Sequence, residues 1–385
     1  MEKIIFHIDV NSAYLSWSAA DKLKNGEKLD IRLVPSVIGG DENSRRGVVL
    51  AKSDKAKHFG IITGESLYSA RKKCNNLIVI PPNFKIYEES SKNMFEFLQN
   101  YTPYIQKYSI DECFLDMGIN KRQDALKLAE MIRKEIKEKF NFTVSIGVAT
   151  NKLLAKMASE LKKPDKVNTI FKEEIEMKLW HLPVEELFMV GKSAKRILNL
   201  MYIYTIGELA NSDKDLIKDR LKGMGELIWN YANGIDFSKV EYDKEDIKNI
   251  SNEITLSTDL LRREKAHNVI LELADKVSYR LRKNKKYCYS ISVNIKTNEF
   301  KSYSHQRKML NSTNSTKVIC KVAIELFNRC WKGEPIRLLG ISLSNLTDTY
   351  TEQLSLISLK DGNEKGSKSN VDSILDHMRE KYGKI

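Results

Sequence analysis

The sequence has no apolar run approaching the ~18 residues needed to cross a bilayer, which argues against a membrane protein. It has no paired cysteines either. Cys74, Cys113, Cys288, Cys320 and Cys330 are scattered and none forms a C-x-x-C pair, so neither a zinc site nor a disulfide framework is expected. A reducing, cytoplasmic home follows. The opening MEKIIFHIDV has too short an apolar stretch and no small-residue cleavage site, so it reads as a first strand and not as a signal peptide. No repeat of solenoid period is present. Acidic residues are in deficit: 51 Asp and Glu face 64 Lys and Arg, a formal net charge of +13. An excess of that size points to a polyanionic partner, nucleic acid first.

What is present is an ordinary globular composition over 385 residues, enough for two to four domains. Strand and helix patterns alternate through about residue 165, and 170–235 reads as short-looped helices. Residues 236–250 are polar and charged, as a linker would be. A second set of strands and helices follows from 252 to 346, including a helix near 264–284 and strands at 287–297 and 336–345. The fold class is therefore α+β and multidomain. The tail, 347–385, is polar until a final charged helix.

Three acids sit flush against apolar residues. Asp9 ends the first strand in FHIDVNSAY, and Asp111 and Glu112 are adjacent in YSIDECFLDM. Neighbours on a strand point to opposite faces, and a buried unpaired carboxylate is costly. A hairpin tip at Asp111–Glu112 would relax the alternation and let both reach one place. Divalent cations would then offset the repulsion among three acids. Mg²⁺ takes carboxylate and phosphate oxygens, and a pair of ions ~3.5–4 Å apart can serve both the attacking and the leaving oxygen. Ordinary surface acids at an exposed turn are the plain alternative.

In NKLLAKMASELKKP (151–164), Leu153, Leu154, Met157, Ala158 and Leu161 form one helical stripe, Lys152, Lys156 and Lys163 fall on another face, and Pro164 ends the segment. VGKS at 190–193 lacks the earlier glycine of a phosphate-binding P-loop, since Glu186 stands there. It reads better as a helix-hairpin-helix turn at Gly191 and Lys192, with a second at Gly223 and Gly225. Such turns offer backbone N–H groups to phosphates. Residues 261–310 hold 13 Lys and Arg against 4 Asp and Glu, and RLRKNKK (280–286) contributes Arg280, Arg282 and Lys283 beside a strand, a suitable edge for a nucleic-acid backbone.

Together, HIDVNSAYLSW, YSIDECFLDM and SIGVATNKLLAKMASELKKPDK resemble the signature blocks of Y-family translesion DNA polymerases of the bacterial polymerase IV and polymerase V type, over about residues 3–346. The resemblance implies a right-hand polymerase. The palm would span 1–12 and 81–168, the fingers 13–80, a helix-hairpin-helix thumb 169–235, the linker 236–250 and an α+β little finger 251–346. It implies that Asp9, Asp111, Glu112 and the backbone carbonyl of Val10 hold two Mg²⁺ ions. Tyr14 would be the steric gate against ribose, and Lys163 and Lys57 would meet the triphosphate of a deoxynucleotide. Primer–template DNA would be the partner and the protein a monomer. Asp54 stands where the polymerase IV type has a tyrosine on the fingers. EQLSLISL in the tail resembles a sliding-clamp-binding peptide through Gln353, Leu354 and Leu356, with Ile357 where an aromatic is usual. Beyond these domains only 347–385 remains, leaving no segment for a proofreading nuclease, so low fidelity is implied. A catalytically weak or inactive accessory protein at primer–template junctions is the alternative, and a two-metal nuclease shares the carboxylates.

Overall fold

The apolar run at the N-terminus becomes the central strand, Glu2–Val10, of a five-stranded sheet. The order is Ile105–Lys107, Glu112–Asn120, Glu2–Val10, Val144–Ala149 and Val167–Ile170. The central strand is antiparallel to both neighbours, and only the last pair is parallel. The computed structural model describes residues 1–41, 47–242, 246–350 and 370–383. They fall into two compact units that divide in sequence near residue 244.

Both faces of this sheet are covered, which is why its strands read as continuous apolar runs rather than alternating ones. Ile4, Phe6, Ile8 and Val10 pack with Tyr87, Met94 and Leu98 of helix Phe84–Leu98 and with Ala129, Ile132 and Ile136 of helix Arg122–Phe140. On the other face, Ile5 and Phe114 pack with Leu153, Leu154 and Ala158 of helix Lys152–Leu161. That helix starts at Asn151, whose Oδ1 accepts from the Leu154 N–H at 2.8 Å. Asp236 Oδ2 accepts from the Leu153 N–H at 3.1 Å, and Val240 is buried in the same core. The start of the expected 236–250 linker is thus stitched to the first unit.

Gly147 decides how close the helix comes. A Cβ there would lie 1.8 Å from the Ala155 carbonyl oxygen and 2.5 Å from the Ser159 nitrogen. The bare backbone lets the helix rest directly on strand Val144–Ala149.

A smaller mixed sheet orders Val49–Lys52, Ser36–Gly39 and Ile78–Ile80, with helices Asp54–His58 and Leu67–Lys73 beside it. Residues 172–232 are short helices, as their sequence predicts. The segment before Gly191 is, however, only a single 3-10 turn, Val184–Glu186. Leu187 is extended and Met189 has a positive φ of 73°, so a full helix cannot reach the turn. Gly191 instead caps helix Lys192–Leu200. Helices Lys214–Leu221 and Gly223–Ala232 do form a tight pair. A Cβ on Gly225 would meet the Ile217 carbonyl oxygen at 2.3 Å, so glycine is required there.

The second unit is a four-stranded antiparallel sheet in the order Ser302–Thr313, Tyr287–Thr297, Ile336–Thr347 and Asn249–Leu260. Helices Arg263–Lys283 and Thr316–Cys330 supply Ile270, Leu273, Val277, Ile319, Ala323 and Phe327 to its core. Helix Asn370–Tyr382 is held by Arg379 on Asp275, at 2.7 Å, and by Asp376 on Arg282. Among the described residues no helix is long and apolar enough to cross a membrane.

Replacing Gly147 by alanine should force the helix off the sheet and cost about 1–3 kcal/mol or more. Urea denaturation of Gly147→Ala, with the midpoint falling and the slope unchanged, checks this.

Candidate active site

The ladder answers the question posed by the adjacent acids. Asp9 is the direct antiparallel partner of Glu112, so their side chains leave the sheet on one face. Asp111 lies in the turn before that strand, where alternation no longer applies. Its carbonyl accepts from the Val10 N–H at 3.1 Å, and its carboxylate Oδ1 accepts from Ser109 Oγ at 2.5 Å. Ser109 Oγ also accepts from the Glu112 N–H at 3.1 Å, which shapes the turn.

Helix Lys152–Leu161 and the turn after it bring cations to this face. Lys163 Nζ lies 3.1 Å from Asp9 Oδ1 and 2.8 Å from Glu160. Lys156 pairs with Glu112 Oε2 and packs over the Tyr108 ring. Asn11 anchors the turn that carries Lys163. It is buried, its Oδ1 accepts from the Asp165 N–H at 2.9 Å and from Thr143 Oγ1 at 3.0 Å, and its Nδ2 donates to Ser145 Oγ at 2.8 Å. Arg133 and Lys137 grip the Asp165 carboxylate from helix Arg122–Phe140.

The two facing acids are held in opposite protonation regimes. Asp9 is 9% exposed, and burial pushes its carboxyl up to about 7 against the pull of Lys163. Burial also acts to raise Glu112, but hydrogen bonds from His7 and Lys156 outweigh it and hold Glu112 down at about 2. His7 is fully buried, and that burial lowers its pKa, so the ring is neutral at pH 7.

These groups do not close around one point. Among the described residues, no three His, Cys, Asp or Glu side chains are grouped to hold a cation. Lysines hold two of the three acids instead. The donor chemistry nevertheless fits a hard divalent ion, since every donor is oxygen. The polar contacts of each carboxylate described above fall on a single oxygen: Oδ1 of Asp9, Oδ1 of Asp111 and Oε2 of Glu112.

Tyr14 is the second residue of helix Ala13–Lys24, in its first turn. Its ring stacks on Tyr87 with centroids 4.6 Å apart and meets Phe84 edge-on at 6.2 Å. Burial, and then the charge of Asp111, raise its phenol pKa, which places the two within electrostatic reach. Lys57 and Asp54 both lie exposed on the five-residue helix Asp54–His58. Gly191 and Lys192 are exposed at one helix start and Gly223 at another, whereas Gly225 is buried between helices. Lys283 is exposed, and Arg280 is exposed with its Nη1 on the Ser251 carbonyl at 2.8 Å.

Arg282 departs from the sequence expectation. It donates to Asp376, to the Asn314 carbonyl and to Thr316 Oγ1, so it fastens helix Asn370–Tyr382 rather than facing outward. Its place on the buried side of helix Arg263–Lys283 follows from the helical period, which a basic run conceals. Gln353, Leu354 and Leu356 lie outside the described residues.

Sequence reasoning missed His7, Asn11 and Ser159, and it left Lys156 as one of a stripe. Alternation could have found His7: it stands two residues before Asp9, hence on the same face.

Residues 8–160 match the model of the impB/mucB/samB family, and residues 247–356 match that of its C-terminal domain. The chain belongs to this family, the Y-family translesion DNA polymerases. It is 53% identical to the DNA polymerase IV of Clostridium acetobutylicum, over 100% of this chain and 96% of that protein. It is 34% identical to DNA polymerase IV 1 of Bacillus subtilis, over 99% and 91%. A solved Y-family DNA polymerase chimera shares its fold, with a TM-score of 0.79 and 22% identity over 90% of this chain and 100% of the other. The chain is therefore a DNA-directed DNA polymerase that binds primer–template DNA and depends on divalent metal.

The Asp9 carboxyl has a higher pKa in the folded polymerase than when unfolded. Its contribution to stability is thus complete below about pH 4 and is lost as pH rises toward 7. Asp9→Asn, measured in EDTA, should match the parent at pH 4 and exceed it increasingly up to pH 7. The gap above pH 7 should reach up to about 4 kcal/mol, at ~1.4 kcal/mol per pH unit. Thermal melts across that range check it.

Proposed function

We propose that the polymerase extends a primer 3′-OH by two-metal chemistry at the end of strand Glu2–Val10, with low fidelity and no proofreading. The observation that carries this is the pairing of Asp9 with Glu112 across the ladder, with Asp111 bonded to Val10 beside them. Asp9, Asp111, Glu112 and the Val10 carbonyl would hold two Mg²⁺ ions. Such ions, when bound, supply the charge that eases attack at the α-phosphorus and departure of pyrophosphate.

The chain's own residues do the rest. Lys163 adds a positive charge near Asp9 that suits the leaving pyrophosphate, acting as a point charge. Lys57 offers a second ammonium from the exposed helix Asp54–His58, while Asp54, one turn earlier, opposes phosphate binding. Tyr14 is backed by Tyr87 and Phe84, so its ring cannot retreat from a ribose 2′-OH.

Residues 1–12 and 81–168 would form the palm, 13–80 the fingers, 169–235 the thumb and 251–346 the little finger. Backbone N–H groups at Gly191, Lys192 and Gly223, with Arg280 and Lys283, would meet DNA phosphates without reading bases. The Gln353–Leu356 peptide would engage a sliding clamp, and the polymerase would act as a monomer.

Primer extension with Mg²⁺ and deoxynucleotides tests the site. Asp111→Ala/Glu112→Ala should lose activity by about 10²–10³-fold or more while still binding primer–template. Retention of parental extension would move the reaction centre elsewhere. Tyr14→Ala should keep deoxynucleotide extension and raise ribonucleotide use by about tenfold or more. An unchanged ratio would remove the gate from Tyr14.

A further inference from the structure

His7 is a fully buried imidazole that the reaction just described does not use. It leaves the central strand on the face of Asp9, two residues before it, and is the ladder partner of Phe114 and Gly147. Both ring nitrogens are engaged. Nε2 lies 3.2 Å from Glu112 Oε2, and Nδ1 lies 2.8 Å from Ser159 Oγ. The Phe114 ring, with its centroid 4.7 Å away, limits rotation.

Gly147 makes this contact possible. With no side chain opposite His7, the backbone of helix Lys152–Leu161 comes close enough for Ser159 to reach the ring. The Glu112 end fixes where the proton sits. A carboxylate at 3.2 Å accepts hydrogen bonds only, so Nε2 must carry a proton. Ser159 Oγ also lies 2.7 Å from the Lys156 carbonyl, and its single proton can serve that carbonyl or Nδ1, not both. Given to Nδ1, that proton leaves both ring nitrogens of a neutral imidazole paired, with Nε2–H on Glu112.

Lys156 approaches the same oxygen, Oε2, as His7 does. Both protein donors therefore draw Glu112 by one oxygen and leave Oε1 turned away from them. We propose that His7 is a positioning residue: its Nε2–H, braced through Nδ1 by Ser159, fixes the Glu112 carboxylate so that Oε1 is presented to the reaction centre. The inference rests on Glu112 belonging to that centre. A hydrogen-bonded ligand carboxylate is held in one orientation before the cation arrives, and loss of such a partner typically costs 10–100-fold in metal affinity or activity.

The test uses the full chain. In ¹⁵N-histidine-labelled, metal-free protein, His7 should show a protonated Nε2, and that resonance should move in Glu112→Gln. In primer extension, His7→Phe should lower kcat by about tenfold or more and raise the Mg²⁺ concentration for half-maximal rate, with KM for the nucleotide unchanged. His7→Gln, whose amide can donate from nearly the same point, should recover most of the loss. An unprotonated Nε2 would overturn the proposal, as would a His7→Gln as defective as His7→Phe. So would a His7→Phe that melts lower but keeps parental kcat and Mg²⁺ dependence. If Asp111→Ala/Glu112→Ala is inactive while His7→Phe is parental, only the role of His7 falls. If the double variant is active, the site itself falls.

Discussion

Two carboxylates facing each other across an antiparallel ladder are an electrostatic conflict. Like charges directly opposite destabilise a strand pair, and here Asp9 is buried as well. The surroundings of this pair read as the compensation. Lys163 lies against Asp9, and Lys156 and His7 lie against Glu112. The protein also splits the pair's protonation, holding Glu112 at about 2 while Asp9 is pushed to about 7. Only one of the two is then firmly ionised near neutral pH without a cation.

Delivering those partners is a packing problem. The helix that carries Lys156 and Ser159 must lie almost on the backbone of the sheet, and Gly147 is the position that permits it. On the far side, Asn11 joins the end of the first strand to the turn bearing Lys163, and Arg133 holds that turn through Asp165. Lys163 therefore reaches Asp9 from a braced turn rather than from a free loop. Tyr14, Tyr87, Phe84 and Trp17 form one aromatic group, so the Tyr14 ring is braced by its neighbours.

The net charge of the chain is spent unevenly. Arg282 sits in the most basic run, yet it is inward-facing and serves the fold by holding Asp376. Its neighbours Arg280 and Lys283 remain exposed. A basic stretch on a helix is divided by the 3.6-residue period into cations available to a polyanion and cations that serve structure.

Sequence alone went far on this chain because its strongest signals are local. Apolar periodicity placed strand 287–297 to the residue and helix 264–284 within one residue of Arg263–Lys283. The acids at 9, 111 and 112 and the helix at 152–161 were legible from spacing and from the family blocks. The segment before Gly191 failed, because a positive φ at Met189 is a choice the local pattern does not announce. Tertiary structure alone decided which lysine meets which acid, that His7 and Ser159 belong with Glu112, and that Arg282 turns inward. The reason is range. Periodicity reports which face a residue takes within its own element, whereas Ser159 and His7 are 152 positions apart in the chain and meet only because two elements, separated by a single glycine's width, have packed.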